Sequence, residues 1–187
     1  TQIDAASAHA CPTDLQIDVS IRLGTTPSAL PDPIVDTDHW QASPRTALLR
    51  LEETAGARFW IQDGREIVIE PTAQCDPDRM RLYLLGSVMG ILLMQRGQIP
   101  LHANTVVIDG VAVAIAGEVG AGKSTLTAEL HALGCEFLAD DVSSIFVEDG
   151  VPFVVPGYPR LKLWADSLDH LGATRNGLAR IRADLDK

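Results

Sequence analysis

The sequence predicts an α/β protein: a P-loop nucleotide-binding domain preceded by a small, mainly-β N-terminal domain. Three observations carry this. Gly117, Glu118, Val119, Gly120, Ala121, Gly122, Lys123, Ser124 and Thr125 match the phosphate-loop pattern G-x-x-x-x-G-K-[ST]. An apolar stretch of buried-strand type, residues 111–116, runs into that loop, and a helix-forming stretch, residues 124–133, leaves it and stops at Gly134. In the first seventy residues, alternating apolar segments flank Asp63-Gly64, a hairpin signal. The expected division is 1–75 for the small domain and 76–187 for the nucleotide-binding domain. The second is expected to be incomplete at its C-terminus, since P-loop domains ordinarily carry further strands and helices.

The loop has a physical logic. Glycines let the backbone curl until its N–H groups point inward at phosphate oxygens, and the following helix adds the positive end of its dipole. Lys123 is placed to reach the β- and γ-phosphates, and the Ser124 hydroxyl to ligate Mg²⁺. The expected ligands are therefore ATP and Mg²⁺. The bland alternative is a glycine-rich turn that binds nothing, which the flanking strand and helix argue against.

Composition fits a globular domain. Of the 187 residues 46% are hydrophobic and 21% charged, and the net charge is −10. A chain this acidic lacks the basic surface that nucleic acid requires, so no nucleic-acid partner is expected. Cys11, Cys75 and Cys135 are widely spaced and form no C-x-x-C pair, which speaks against a zinc site or a disulfide framework. The opening residues read as a small polar tail rather than a signal peptide, and the expected location is cytoplasmic. The most apolar run, residues 82–94, is too short to span a bilayer and reads as a core helix, with Gly86 and Gly90 marking close packing; no membrane partner is expected.

In chain order, residues 15–23 alternate as a half-buried strand, and 24–44 are a loop rich in proline and aspartate in which His39 and Trp40 read as packing. Residues 47–51, 58–62 and 66–70 are further strands. Asp76-Pro77 opens a helix, aspartate as N-cap and proline at the first helical position, which runs to about Arg96 and stops at Gly97. Its apolar character on nearly every side predicts burial between the two domains. Asp109-Gly110 signals a hairpin between 104–108 and the strand that feeds the phosphate loop. After the loop's helix come strands at 142–147 and 152–155, joined at Asp149-Gly150, then a short helix ending near Gly172. His131 and His170 read as surface or core residues.

Beyond the loop, Asp140-Asp141 closes an apolar stretch. A carboxylate at a strand end beside a phosphate loop is the usual second holder of Mg²⁺, and two adjacent ones allow one to serve the metal while the other takes the proton of an attacking hydroxyl. Adjacent strand residues face opposite ways, so both reach one site only through a turn or bulge; a plain turn is the alternative. His102 lies one short strand before the hairpin and is either structural or an assistant to proton transfer beside an aspartate. Arg160 and Lys162 alternate within Tyr-Pro-Arg-Leu-Lys-Leu-Trp and share one face, suited to a phosphate or acidic partner, or else a solvated edge.

Taken together, Leu-His-Ala at His102, a hairpin, the loop Gly-Glu-Val-Gly-Ala-Gly-Lys-Ser-Thr and Phe-Leu-Ala-Asp-Asp resemble the catalytic domain of bacterial HPr kinase/phosphorylase. Leu-Leu-Gly-Ser-Val-Met-Gly, Gln-Arg-Gly-Gln-Ile-Pro-Leu-His and Pro-Gly-Tyr-Pro-Arg-Leu-Lys-Leu-Trp look more like its HPr-kinase-like relatives, some of which belong to lasso-peptide biosynthesis clusters. The resemblance covers residues 80–172 and implies a fold of the HPr-kinase/PEP-carboxykinase kind and a serine kinase using ATP and Mg²⁺. It implies Lys123 and Ser124 on phosphates and metal, Asp140 as the base for the acceptor serine, Asp141 on the metal, and His102 next to that aspartate. Two features depart from the family: Ala103 stands where it has glycine after the histidine, and its downstream glutamate signature is missing. Reverse phosphorolysis and HPr as acceptor are thereby in doubt.

The leading expectation is phosphoryl transfer from ATP to a serine of a peptide or small protein, such as a lasso precursor peptide, by a chain that can also form a homo-oligomer. The alternatives are a small-molecule kinase and a non-catalytic ATP-sensing module. No N-K-x-D guanine signature and no L-S-G-G-Q stretch occur, which disfavours a GTPase or a transport ATPase.

Overall fold

The computed structural model describes residues 18–157. They group into two compact units, residues 18–98 and 99–157. The helix that opens at Asp76 therefore belongs with the first unit.

The first unit is a six-stranded sheet covered by one helix. Its strands are β1 (Ser20–Leu23), β2 (Val35–Asp36), β3 (Trp40–Ala42), β4 (Thr46–Leu51), β5 (Ala57–Gln62) and β6 (Glu66–Pro71), in the order β1-β6-β5-β4-β3-β2. All neighbours pair antiparallel except β1 and β6, which run parallel. The β5–β6 turn forms where Asp63-Gly64 places it. Both residues take positive φ, 55° and 62°, and Arg65 N–H donates to the Gln62 carbonyl at 3.0 Å. Alternation along β5 sends Ala57, Phe59 and Ile61 inward, where they meet Ala47, Leu49, Ile67 and Ile69.

Helix α1 (Pro77–Tyr83) continues through a π turn (Leu84–Val88) into α2 (Met89–Gln95). Asp76 caps it, its carboxylate accepting from the N–H groups of Asp78 and Arg79. The C-terminus closes on Gly97 at φ 74°, with Gln98 N–H donating to the Leu93 carbonyl at 3.0 Å. One face of the helix completes the core through Val88 and Leu92. It is not apolar-buried all round, since Leu85 and Met94 are exposed, and among the described residues Gly86 has no neighbour that a β-carbon would meet, so it marks no close packing there.

The second unit holds two three-stranded antiparallel sheets. One comprises β10 (Glu136–Ala139), β8 (Ala103–Ile108) and β9 (Val111–Ala116), in the order β10-β8-β9. The other comprises β7 (Ile99–Leu101), β11 (Ser143–Glu148) and β12 (Val151–Val155), in the order β12-β11-β7. Asp109-Gly110 and Asp149-Gly150 close the β8–β9 and β11–β12 hairpins, each pair at positive φ. Phe146 and Phe153 face each other across the second hairpin and stack, ring centroids 5.3 Å apart. Helix α3 (Lys123–Ala132) follows the loop.

The α/β expectation is overturned. Strand makes up 41% and helix 21% of the described residues, in three separate sheets, and the chain is mostly β rather than an α/β P-loop fold of the HPr-kinase/PEP-carboxykinase kind. An α/β domain needs parallel strands joined by crossover helices on both sheet faces. Here the strand feeding the loop pairs antiparallel with its hairpin partner and lies at the sheet edge, and β10, which follows α3, also pairs antiparallel with β8. The loop motif dictates only strand, turn and helix, and that local unit fits an antiparallel sheet as well.

Candidate phosphate-loop and carboxylate site

Between β9 and α3 the loop curls as its glycines require. Gly120 and Gly122 sit in the left-handed region, φ 84° and 86°. Ala121 N–H donates back to the Glu118 carbonyl at 3.2 Å. Gly122 is the N-cap of α3 and brings no side-chain acceptor, so no cap side chain occupies the helix's first N–H groups. Lys123 turns back over the loop: its Nζ donates to the carbonyls of Gly117, 2.7 Å, and Glu118, 3.1 Å. Residues 117–122 are exposed, Val119 at 81%, and Thr125 lies in the first turn of α3.

The second half of the site comes from the end of β10. Register along β10–β8 shifts between Phe137 and Ala139, a bulge. A three-residue turn follows in which Val142 N–H donates to the Asp140 carbonyl at 2.8 Å and Asp141 takes φ 67°. Of the five aspartates at positive φ among the described residues, Asp63, Asp109 and Asp149 precede the glycine of a hairpin; Asp141 does not. Left-handed backbone at such a residue persists only where its surroundings hold it. Here a hydroxyl pair sits just beyond the turn: Ser143 Oγ donates to the Ala103 carbonyl at 2.9 Å and meets Thr105 Oγ1 at 2.7 Å, all three residues buried. The Asp140 Oδ1 atom is buried as well.

His102, between β7 and β8, lies against Asp141. Its Nδ1 is 3.0 Å from the Asp141 carbonyl oxygen and 4.0 Å from Asp141 Oδ1. A carbonyl accepts only, so this contact places the ring proton on Nδ1 and leaves Nε2 as the lone-pair nitrogen of the neutral ring.

Asn104 joins the two halves, and no motif pointed to it. It is 1% exposed on β8. Its Nδ2 donates to Ser124 Oγ at 3.3 Å, and its Oδ1 accepts from Asp141 N–H at 3.2 Å. The available signal was asparagine within an apolar strand, a residue type depleted from strands. The site thus links Ser124, Asn104, Asp141 and His102, with Lys123 and Asp140 beside Ser124 and Asp141 in the chain. Arg160 and Lys162 lie outside the described residues, as do Cys11, His170 and the short helix expected before Gly172. His131 is structural: its Nδ1 donates to the Cys135 carbonyl at 3.0 Å at the end of α3.

A separate apolar cavity of about 510 Å³ opens in the first unit, lined by Trp40, Leu49, Ile91 and Met94 among others. None of the loop or carboxylate residues touches it.

No protein-family model, curated protein or solved structure matches the chain. The likeness to HPr-kinase-like proteins accordingly stands on the motifs quoted from the sequence. No helix among the described residues is long and apolar enough to cross a membrane.

Proposed function

We propose that the protein is an ATP-dependent kinase that transfers the γ-phosphoryl group to a serine hydroxyl of a peptide or small protein. The observation that carries this reading is the proximity of the two half-sites: the loop hydroxyl of Ser124 and the backbone of Asp141 are bonded to the same side chain, Asn104. A phosphate loop alone supports only nucleotide binding. A loop joined through one side chain to the turn that carries two aspartates supports transfer, because a general base must lie within hydrogen-bond reach of the acceptor.

The donor set fits Mg²⁺. Hydroxyl and carboxylate oxygens are hard ligands, and among the described residues no group of three or more His, Cys, Asp or Glu forms a protein cage. Mg²⁺ commonly takes one or two protein oxygens and completes its shell with phosphates and water. When bound, it neutralises charge on the β- and γ-phosphates. In this reading the residues 117–122 and the α3 N-terminus hold the phosphates through backbone N–H groups. Lys123 exchanges its two carbonyl partners for phosphate oxygens, and Ser124 and Asp141 face the metal. Asp140 accepts the proton of the acceptor serine as its oxygen bonds to the γ-phosphorus. The bond from that phosphorus to the bridging oxygen breaks, and ADP leaves with the electron pair.

The position of His102 favours a second assignment within the same reaction, in which Asp141, paired with His102, is the base and Asp140 serves the metal. Intact-mass analysis of serine-containing peptides after incubation with ATP and Mg²⁺ tests both. A gain of about 80 Da per acceptor, one phosphoryl group, is expected. Asp140→Asn is expected to lower transfer by about 10²–10⁴-fold while ATP still binds. Retained transfer in Asp140→Asn, lost in Asp141→Asn, moves the base to Asp141. ADP release with hydroxylated metabolites but not with peptides makes the acceptor a small molecule, and nucleotide binding without turnover on any acceptor removes the kinase reading.

A further inference from the structure

The buried amide of Asn104 does two opposite things at once. It gives a proton to Ser124 Oγ and takes one from Asp141 N–H, across sequence separations of 20 and 37 residues. Few side chains of this size can do both: leucine can do neither, and an ionised aspartate can only accept. At 1% exposure no bulk water replaces a lost partner. The strand that carries Asn104 is the middle strand of its sheet, and residues 103–106 are all buried, so the amide cannot swing away.

We propose that Asn104 is a positioning residue that sets the Ser124 hydroxyl and the Asp140-Asp141 turn in one register, so that Mg²⁺–nucleotide binding at the loop is coupled to the carboxylates. The inference rests on the reading of the loop as a nucleotide site. A serine hydroxyl has two lone pairs and one proton. The Asn104 N–H occupies one lone pair and leaves the other for a cation. It also opposes a common competing state, in which a serine on a helix bonds back to a carbonyl of the preceding turn. At its other end, Asn104 Oδ1 accepts from the N–H of the one residue in the site with φ of 67°, and helps hold a backbone conformation that aspartate otherwise leaves readily.

The test is equilibrium titration of the whole chain with a fluorescent ATP analogue, with and without Mg²⁺, alongside thermal melting. Asn104→Leu fills similar space without polar atoms. It is expected to keep metal-free affinity within about twofold and to lose up to about tenfold of the tightening that Mg²⁺ confers, the upper end for one neutral hydrogen bond. Ser124→Ala is expected to lose the same tightening, and the double variant no more than Ser124→Ala alone. Unchanged Mg²⁺ tightening in Asn104→Leu, or a further loss in the double variant, overturns the proposal. Should Asn104→Leu fail to fold, hydrogen exchange at Asp141 N–H in Ser124→Ala decides. Faster exchange than in the parent is expected, because the amide loses its tether, and equal exchange overturns the coupling. A parent chain with no Mg²⁺-linked nucleotide binding brings down the nucleotide reading and this inference with it, whereas normal parent binding with an indifferent Asn104→Leu brings down this inference alone.

Discussion

Thr26 donates twice to one oxygen of Glu70, from its N–H at 2.8 Å and its hydroxyl at 2.6 Å. The Thr26 hydroxyl, and then its N–H, hold the Glu70 carboxyl below the usual carboxylate range. A carboxylate whose pKa falls on folding stabilises the fold above its unfolded pKa and loses that contribution as pH drops through the folded value. Melting temperature is therefore expected to fall as pH drops below the ordinary glutamate value of about 4.3, and Glu70→Gln to flatten that part of the curve. Calorimetry on both proteins between about pH 6 and pH 3 checks it, and parallel curves would exclude the Thr26–Glu70 linkage. At this scale the sequence was legible where chemistry is contiguous. The loop residues 117–125 are read from one short window because each glycine and the lysine act on neighbours. Asn104 was not legible, because nothing near it in sequence reveals partners 20 and 37 residues away.

Helix boundaries were legible for the same reason. Asp76, Pro77 and Gly97 act within one turn of the helix ends they mark. Asp76→Ala is expected to cost about 1 kcal/mol, the usual loss for an N-cap carboxylate. Urea unfolding at neutral pH measures it, and an unchanged midpoint would show that the bonds to Asp78 and Arg79 N–H contribute nothing. Turns were legible too: each Asp-Gly pair demanded positive φ at both positions, and each obtained it. Sheet membership was not. Nothing local tells β1 to pair with β6 in parallel, or β7 to pair with β11, whose residue Ser143 faces Leu101 from across the whole loop and α3. The fold class failed at this point. Strand, phosphate loop and helix in sequence suggested crossover topology, while β10, the second neighbour of β8, whose antiparallel pairing rules a crossover out, lies across the loop and α3, beyond any short window.

Among the described residues of the molecule, β9 is an exposed sheet edge. It is an edge strand of six small or branched apolar residues, with no proline and no charge, and Val111 is 63% exposed. Unprotected edges of this kind recruit other strands. Val111→Lys places a charge there and is expected to raise the temperature at which light scattering begins on heating, at equal protein concentration; an identical onset would clear β9 of that role. The three Asp-Gly turns, described above only as joints between strands, also fix an order in time. Hairpins of this length close in about 1–10 μs, with almost no chain to search. The β1–β6 pairing and the β7–β11 pairing must instead close loops of some forty residues, at a larger entropic cost. The three hairpins are therefore expected to form first, and the carboxylate turn, which lies between elements joined only by long-range pairing, late.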